Sequence, residues 1–351
     1  MLSAEFHKVK ISSIVCAVPQ NSVSTDSFID VFGEETVNRF KNVIGISNRY
    51  HVNEKQTASD LCYVAAKKLM EHKGLKTDDI DALVFITQSP DYTRPSTAFV
   101  LQGRLGLKED CIVFDVNLGC SAFINGVQIV SSMIECGAAK KALLLIGDAA
   151  ISQEPSEDDR SFQIMFGDAG SATLIESGEG IVRTMIRSKG EDYKTIITPL
   201  PGSRLRNVSS TEIDSYKKRM NGEDTFLFSI TKVPKLFKEF YKTFNCTQDD
   251  FDYFIFHQAN LLILQQVMKR LKLPLEKVPI SIDRYGNTDG VSNLVTIAYL
   301  REKLEDNKVL RFIACGFGIG LSWGIVSFEI NSNDILPMIF TDEFYEEGMI
   351  L

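Results

Sequence analysis

The sequence is expected to fold as an α/β protein with largely parallel sheets, and three observations lead there. Short apolar runs bounded by turn residues, among them 112–116, 141–147 and 251–256, read as buried strands. Longer stretches with helical spacing lie between them. In 58–73, Leu61, Ala65, Leu69 and Met70 share one face and Gly74 supplies the stop. The same order of elements returns in the second half of the 351 residues, enough chain for two similar halves of about 150–175 residues each.

Taken in order, 9–18 reads as an opening strand ended by Pro19, with a helix around 25–32, a mixed segment 41–51 and the helix 58–73. A strand at 82–87 leads through the loop 88–95 to a helix closed by Gly106. The buried strand 112–116 then turns at Asn117-Leu118-Gly119 into a nearly all-apolar helix, 122–134, with Ser121 as its cap. A strand at 141–147, an acidic loop around 154–159 and a glycine-rich turn at 166–170 running into a strand complete the first half. Residues 188–225 are polar and irregular and read as a surface excursion. The alternation resumes with a helix at 226–244, the strand 251–256, a helix at 261–271, a strand at 278–282, the turn 285–290 and a helix at 292–304. Strands at 309–314 and 321–330 follow, separated by the glycine-rich stretch 316–320. The expected division is 1–176, 177–330 and an acidic tail, 331–351, with no assigned role.

Composition narrows the function classes. The net charge is -8 and no long basic run stands out, so a nucleic-acid partner is not expected. The 7 cysteines are odd in number, scattered and without a CxxC pair, which argues against both a disulfide framework and a zinc site. The first residues lack an apolar signal core, and no apolar run approaches the ~18 residues of a membrane span. A cytoplasmic protein in a reducing compartment, without membrane contact, is the expectation.

Chemistry concentrates around Cys120. Its turn precedes the helix 122–134, where the positive end of the helix dipole and free N–H groups favour thiolate. A cysteine thiol near pKa ~8.5 can fall to roughly 4–7 in such a place. Gly119 is expected to take a tight or left-handed conformation. Taken alone, Cys120 is equally readable as a small buried residue. His257 and Asn287 stand at equivalent places, each after a buried strand and before a helix. The carboxyl ends of strands are where sites gather in open α/β sheets, so the three could face one cleft. Alone, His257 could be a hydrogen-bonded structural residue and Asn287 an ordinary turn signal. The 316–320 stretch lacks the GxGxxG spacing of a nucleotide loop, but glycines there could bring backbone N–H groups to an oxyanion. Phe166-Gly-Asp-Ala-Gly170 reads as structural packing.

Cys120 in its turn, His-Gln-Ala-Asn at 257–260, Gly-Asn-Thr at 286–288 and Gly-Phe-Gly-Ile-Gly-Leu-Ser-Trp-Gly at 316–324 form an ordered set of motifs. Their order and spacings resemble the β-ketoacyl-acyl carrier protein synthase III family of thiolase-fold condensing enzymes. Residues 88–96 and 166–170 also fall where that family has related segments, and the likeness spans about residues 8–330. The resemblance implies two duplicated halves in a layered αβαβα core. It implies Cys120, His257 and Asn287 as the catalytic set, with backbone N–H groups of Cys120 and Ile319 facing the oxyanion. Arg94, reaching in from a dimer partner, and Phe317 would bound the acyl pocket, and Lys269 and Arg270 would help dock a carrier protein. The implied reaction loads an acyl group on Cys120 from acyl-CoA or an acyl carrier protein, then condenses it with malonyl-carrier protein. It needs no metal or organic cofactor, and a homodimer is implied.

Some positions depart from the family. Arg39, Val43 and Ser152 stand where acyl-CoA users often carry a Trp and two Arg, which points toward a carrier protein as donor. Leu227 and Leu262 replace common basic docking residues, and Arg94 replaces a common Phe. Arg94 suits a short polar acyl group, or else turns away to pair with a carboxylate. Three other readings stand beside this one: a non-decarboxylating acyltransferase of the same fold, a non-catalytic heterodimer subunit, and a cysteine hydrolase. The hydrolase shares the order Cys, His, Asn but would want a Cys-Gly-Ser-Cys-Trp neighbourhood that is absent.

Overall fold

Two sheets with a pair of buried helices between them organise the computed structural model, which describes residues 3–149, 164–199 and 219–347. The strands in chain order are β1 (Ser3–Phe6), β2 (Val9–Pro19), β3 (Ser22–Ser24), β4 (Asn48–Tyr50), β5 (Ala82–Ile86), β6 (Ile112–Val116), β7 (Lys141–Asp148) and β8 (Ala169–Ser177). They continue with β9 (Val182–Ser188), β10 (Ile196–Ile197), β11 (Arg219–Met220), β12 (Tyr253–Phe256), β13 (Val309–Gly318), β14 (Ser322–Asn331) and β15 (Ile339–Thr341). The first sheet has the order β15-β2-β8-β7-β5-β6 and the second β1-β9-β14-β13-β12, while β3–β4 and β10–β11 form small ribbons.

The duplication is visible in the pairing. β2 and β8, like β9 and β14, are antiparallel, and so are β7 and β8, like β13 and β14. β5 with β7 corresponds to β12 with β13, both parallel. Among the described residues β6 has no counterpart strand. The segment expected there, 278–282, does not join the second sheet and turns into the short helix Ile282–Tyr285. Pro279 removes one ladder donor, and the Ser281 N–H is taken by Gln258 Oε1 at 3.1 Å.

The helices Ala122–Glu135 and Ser292–Leu300 occupy the middle layer, each touching strands of both sheets. Burial on two sides explains why these two helices are apolar almost all round. The helix Ala58–Lys73 covers the outer face of the first sheet, started by a Thr57–Asp60 capping box and stopped at Gly74 with φ +61°. The Gly222–Phe244 helix lies against β13 and β14 on the outside of the second sheet and packs on the Leu261–Leu271 helix. It starts four residues before its expected beginning, because the Asn221 side chain accepts from Asp224 N at 3.1 Å. The result is the expected αβαβα layering.

Two other expectations are corrected, and the tail that was given no role finds its place. β6, expected to be buried, is an edge strand, and Ile112 is 40% exposed because the sheet ends there. The glycines of 316–320 do not break the strand: β13 runs to Gly318 and pairs with β14 from Val309↔Asn331 to Gly318↔Ser322. The acidic tail is not a detached extension. Ile335 and Leu336 are buried, β15 pairs in parallel with β2, and Gln56 Nε2 donates to the Thr341 and Glu343 carbonyls. At the other end, β1 pairs with β9, so each terminus completes the sheet of the opposite half. The expected acidic loop at 154–159 lies outside the described residues, as does most of the expected surface excursion.

Truncation after Asp334 removes β15 and the buried side chains of Ile335 and Leu336. At ~1.5–3 kcal/mol for each buried aliphatic side chain, the expected loss is about 3–6 kcal/mol, read as a lower urea midpoint. An unchanged midpoint would mean that the tail contributes nothing to the sheet it joins.

Candidate active site

The turn after β6 places Cys120 one residue outside the N-cap of the Ala122–Glu135 helix. Two expectations about this turn need correction. Ser121 sits at the N-cap but makes no capping bond; its hydroxyl is paired with Ser322 Oγ at 2.9 Å, tying the turn to β14. Gly119 does not adopt a positive φ. It is needed for space, since a Cβ there would lie 2.4 Å from Gln88 Oε1 and 2.8 Å from Asp289 Oδ1. Backbone crowds the cysteine from the opposite side as well. A Cβ on Gly318 would come within 2.5 Å of Cys120 Sγ, and one on Gly316 within 2.8 Å of the Cys120 carbonyl. The glycines of β13 thus let a strand of the second sheet pass directly against the sulfur.

His257 follows β12 and is 1% exposed. Its main-chain N–H continues the sheet to the Cys315 carbonyl at 2.8 Å, and its Nδ1 lies 2.6 Å from Ser292 Oγ on the facing buried helix. Ser292 Oγ also accepts from Gln258 N at 3.4 Å. Phe317 meets the imidazole edge-on, with centroids 5.5 Å apart. Burial pushes the His257 pKa down to about 4, against an opposing attraction from Asp289, so the ring is neutral at physiological pH.

Asn287 is held by the segment 165–167. Its N–H donates to the Met165 carbonyl at 2.9 Å, and its carbonyl accepts from Gly167 N at 3.1 Å. The preceding Gly286 has φ +68°, which a side chain would resist. Asn287 Oδ1 accepts from Asp289 N at 3.0 Å, so the amide NH2 is the end left to face the cavity. Phe166-Gly-Asp-Ala-Gly170 is structural, as expected, but it props the site directly. Asp168 is fully buried, accepts from Val52 N at 2.9 Å and stands 3.3 Å from His51 Nδ1. Arg49 donates to His51 Nε2, and its burial lowers the guanidinium pKa to about 10 against the pull of Asp168.

Cys120, His257 and Asn287 line one cavity of about 330 Å³, together with Phe317 and Ile319. The walls are otherwise mainly apolar, with Ile44, Met165, Phe166, Met220, Phe226 and Ile263 among them. Leu262 also lines it, on the helix whose last turn carries the exposed Lys269 and Arg270. Arg39 and Val43 are exposed on the Glu34–Ile44 helix, which borders the cavity at Ile44; Ser152 lies outside the described residues. Arg94 is exposed and does not line this cavity. It pairs with none of the described carboxylates, so the expected turn toward a carboxylate is not found among them. Sequence reasoning missed Asp289, which lines the cavity with Oδ1 3.4 Å from Cys120 Sγ. In Asn-Thr-Asp-Gly it looks like one more turn residue.

Two duplicated α/β halves, two central buried helices and a cavity at the carboxyl ends of the strands define the thiolase-type fold. The chain belongs to the 3-oxoacyl-[acyl-carrier-protein] synthase III family: the model of that name matches residues 114–190, and the model of its C-terminal part matches 242–330. The β-ketoacyl-[acyl-carrier-protein] synthase III of Clostridioides difficile is 36% identical over 287 residues, covering 80% of this chain and 86% of that protein. The Clostridium perfringens protein of the same name is 34% identical over 316 residues, 87% and 94% of the two chains. The crystal structure of a 3-oxoacyl-(acyl-carrier protein) synthase from Burkholderia xenovorans superposes with a TM-score of 0.90 at 33% identity, covering 97% of this chain and 99% of that one. Among the described residues no helix is long and apolar enough to cross a membrane.

The neutral His257 links the site to stability. An unfolded histidine titrates near ~6.5, whereas the folded one is held at about 4. Between those values only the unfolded chain binds the proton, so stability present above ~6.5 is lost as the pH falls toward 4. From pH 7 to pH 5 this amounts to roughly 2 kcal/mol. Urea unfolding at both pH values should show a smaller acid loss in His257→Gln than in the wild type; equal losses would contradict the depressed pKa.

Proposed function

We propose that the protein is a β-ketoacyl synthase III-type condensing enzyme in which Cys120 carries the acyl group. The observation that carries this reading is the convergence of one thiol, one neutral imidazole donor and one amide donor in a single apolar cavity. In the first step Cys120 attacks an acyl thioester and retains the acyl group as a thioester, expelling the donor thiol. Backbone N–H groups of Cys120 and Ile319 would face the tetrahedral oxyanion. In the second step malonyl-carrier protein enters and loses CO2. The His257 Nε2–H and the Asn287 amide would donate to the enolate oxygen, and the carbanion would attack the acyl-Cys120 carbonyl to give a β-ketoacyl product. Donors of this kind suit enolate stabilisation, because neither changes charge near neutral pH. In an apolar cavity their hydrogen bonds also strengthen as negative charge develops.

The same reading extends to partners. Phe317 and the apolar walls would accommodate the hydrocarbon part of the acyl group. Arg94 would act only in a homodimer, reaching the partner's cavity, and the exposed edge at β6 with Ile112 supports such pairing. Lys269 and Arg270 would meet the acidic surface of a carrier protein. Exposed Arg39 and Val43, in place of residues that clasp adenine, favour an acyl carrier protein over CoA as donor. A cytoplasmic location accords with seven cysteines that form no disulfide.

Intact-protein mass after incubation with acyl-CoAs and acyl carrier proteins should show an adduct that is absent in Cys120→Ala. Asn287→Ala should load the acyl group at close to the wild-type rate but release CO2 from malonyl-carrier protein about 10²–10³-fold more slowly, the usual effect of removing one oxyanion donor. Equal loss of both half-reactions would refute this division of labour. Normal loading with no CO2 release in the wild type would favour a non-decarboxylating acyltransferase.

A further inference from the structure

Asp289 brings a carboxylate to the sulfur that is to be acylated, with the Cys120 thiol pointing at Oδ1 across 3.4 Å. The placement is built rather than incidental. Asp289 adopts φ +46°, a left-handed conformation that Asp and Asn tolerate better than other side chains. Its N–H is bonded to Asn287 Oδ1, and the next N–H, of Gly290, is bonded to Asp148 Oδ2 at 3.2 Å. Gly290 packs so closely on the central helix that a Cβ would lie 2.9 Å from that of Ala122. Across the cavity, only a glycine at 119 leaves room for the carboxylate and Gln88 to approach.

A carboxylate this close has two effects on a thiol. Its charge disfavours a standing thiolate, and its oxygen offers a place for the proton. With the thiol hydrogen-bonded to the carboxylate, the proton has to leave as the sulfur attacks. Asp289 Oδ1 is the acceptor that the thiol faces. We infer that Asp289 is the general base of acyl loading, a catalytic residue that accepts the Cys120 proton and hands it to the departing thiol. This rests on the reading of Cys120 as the acyl-carrying nucleophile. As the S–C bond to the donor carbonyl forms, the S–H proton passes to the Asp289 carboxylate. Collapse of the tetrahedral intermediate breaks the donor C–S bond, and the donor thiolate recovers the proton from the Asp289 carboxyl. Acyl thioester and thiol exchange partners, with no oxidant or other reactant required.

Asp289→Asn keeps size and left-handed tolerance while removing the base, and two rates measured on Cys120 at pH 7 separate the possibilities. Acylation from an acyl carrier protein, followed by intact mass, should slow about 100-fold and recover toward pH 9–10 as thiolate forms unaided. Alkylation by iodoacetamide, which needs only thiolate, should become faster because the repelling charge is gone. Among the described residues the titratable groups about Asp289 are Cys120, His257 and Asp148, which accepts from the neighbouring Gly290 N–H, so the same pH series in His257→Gln assigns the limb. Acylation that is unchanged or faster in Asp289→Asn would overturn the proposal and leave Asp289 as an electrostatic neighbour. A parallel fall in both rates would also overturn it, pointing to a distorted site. Wild-type protein that forms no adduct with any donor would instead refute the nucleophile reading and this inference with it.

Discussion

The close approach of glycine backbone to Cys120 is the constraint on which the rest of the site depends. One sulfur sits where the ends of two sheets meet, and there is no room for a Cβ at 119, 316 or 318. Each glycine removes a steric obstacle between elements that belong to different halves of the chain. Because β13 can lie directly on the cysteine turn, β12 beside it delivers His257 at the right depth, and the Ser121–Ser322 hydroxyl pair fixes the two halves in register. A methyl group at 316 would press on the Cys120 carbonyl and one at 318 on its sulfur, while one at 119 would displace the Gln88 and Asp289 side chains.

Burial then sets the chemistry. His257 and Asn287 are both almost wholly removed from solvent, and each is held by a neighbour: Ser292 Oγ at Nδ1, and Asp289 N–H at Oδ1. What faces the cavity is a neutral imidazole and an amide, neither with formal charge. Such a pair costs less to bury than an ion and needs no reorientation when an oxyanion forms nearby. The Arg49–His51–Asp168 cluster serves the same end at one remove. It anchors the segment whose Met165 carbonyl and Gly167 N–H hold Asn287.

Much of this was legible in the sequence. Cys120 and His257 each follow an apolar strand and precede a helix, and a site at strand ends follows from that pattern. Asn287 instead follows the short helix Ile282–Tyr285. The central helix at 122–134 announced itself by a near-continuous apolar run. Other features were not legible because they depend on partners distant in sequence. The apolar run 112–116 says that β6 is in a sheet but not that it is at the edge. Pro279 was a warning against the strand at 278–282, yet the competing bond from Ser281 N to the Gln258 side chain appears only in three dimensions. Ser121 has the right residue type for a cap but a better partner in Ser322. Asp289 could not be distinguished from a turn residue, since its meaning comes from a thiol 169 positions away.

The exchange of terminal strands has a bearing on how the protein is made. The first half is translated with β2 as an open sheet edge, and the strand that covers that edge, β15, is synthesised after every other strand of both sheets. Until then β2 is an unpaired template next to an apolar core, the kind of surface that recruits chaperones or mispairs with a neighbouring chain. The second half faces no such delay, because β1 is synthesised before β9 and waits for it. An internal duplication that is symmetric in space is therefore asymmetric in time: the half carrying the cysteine is begun first and finished last.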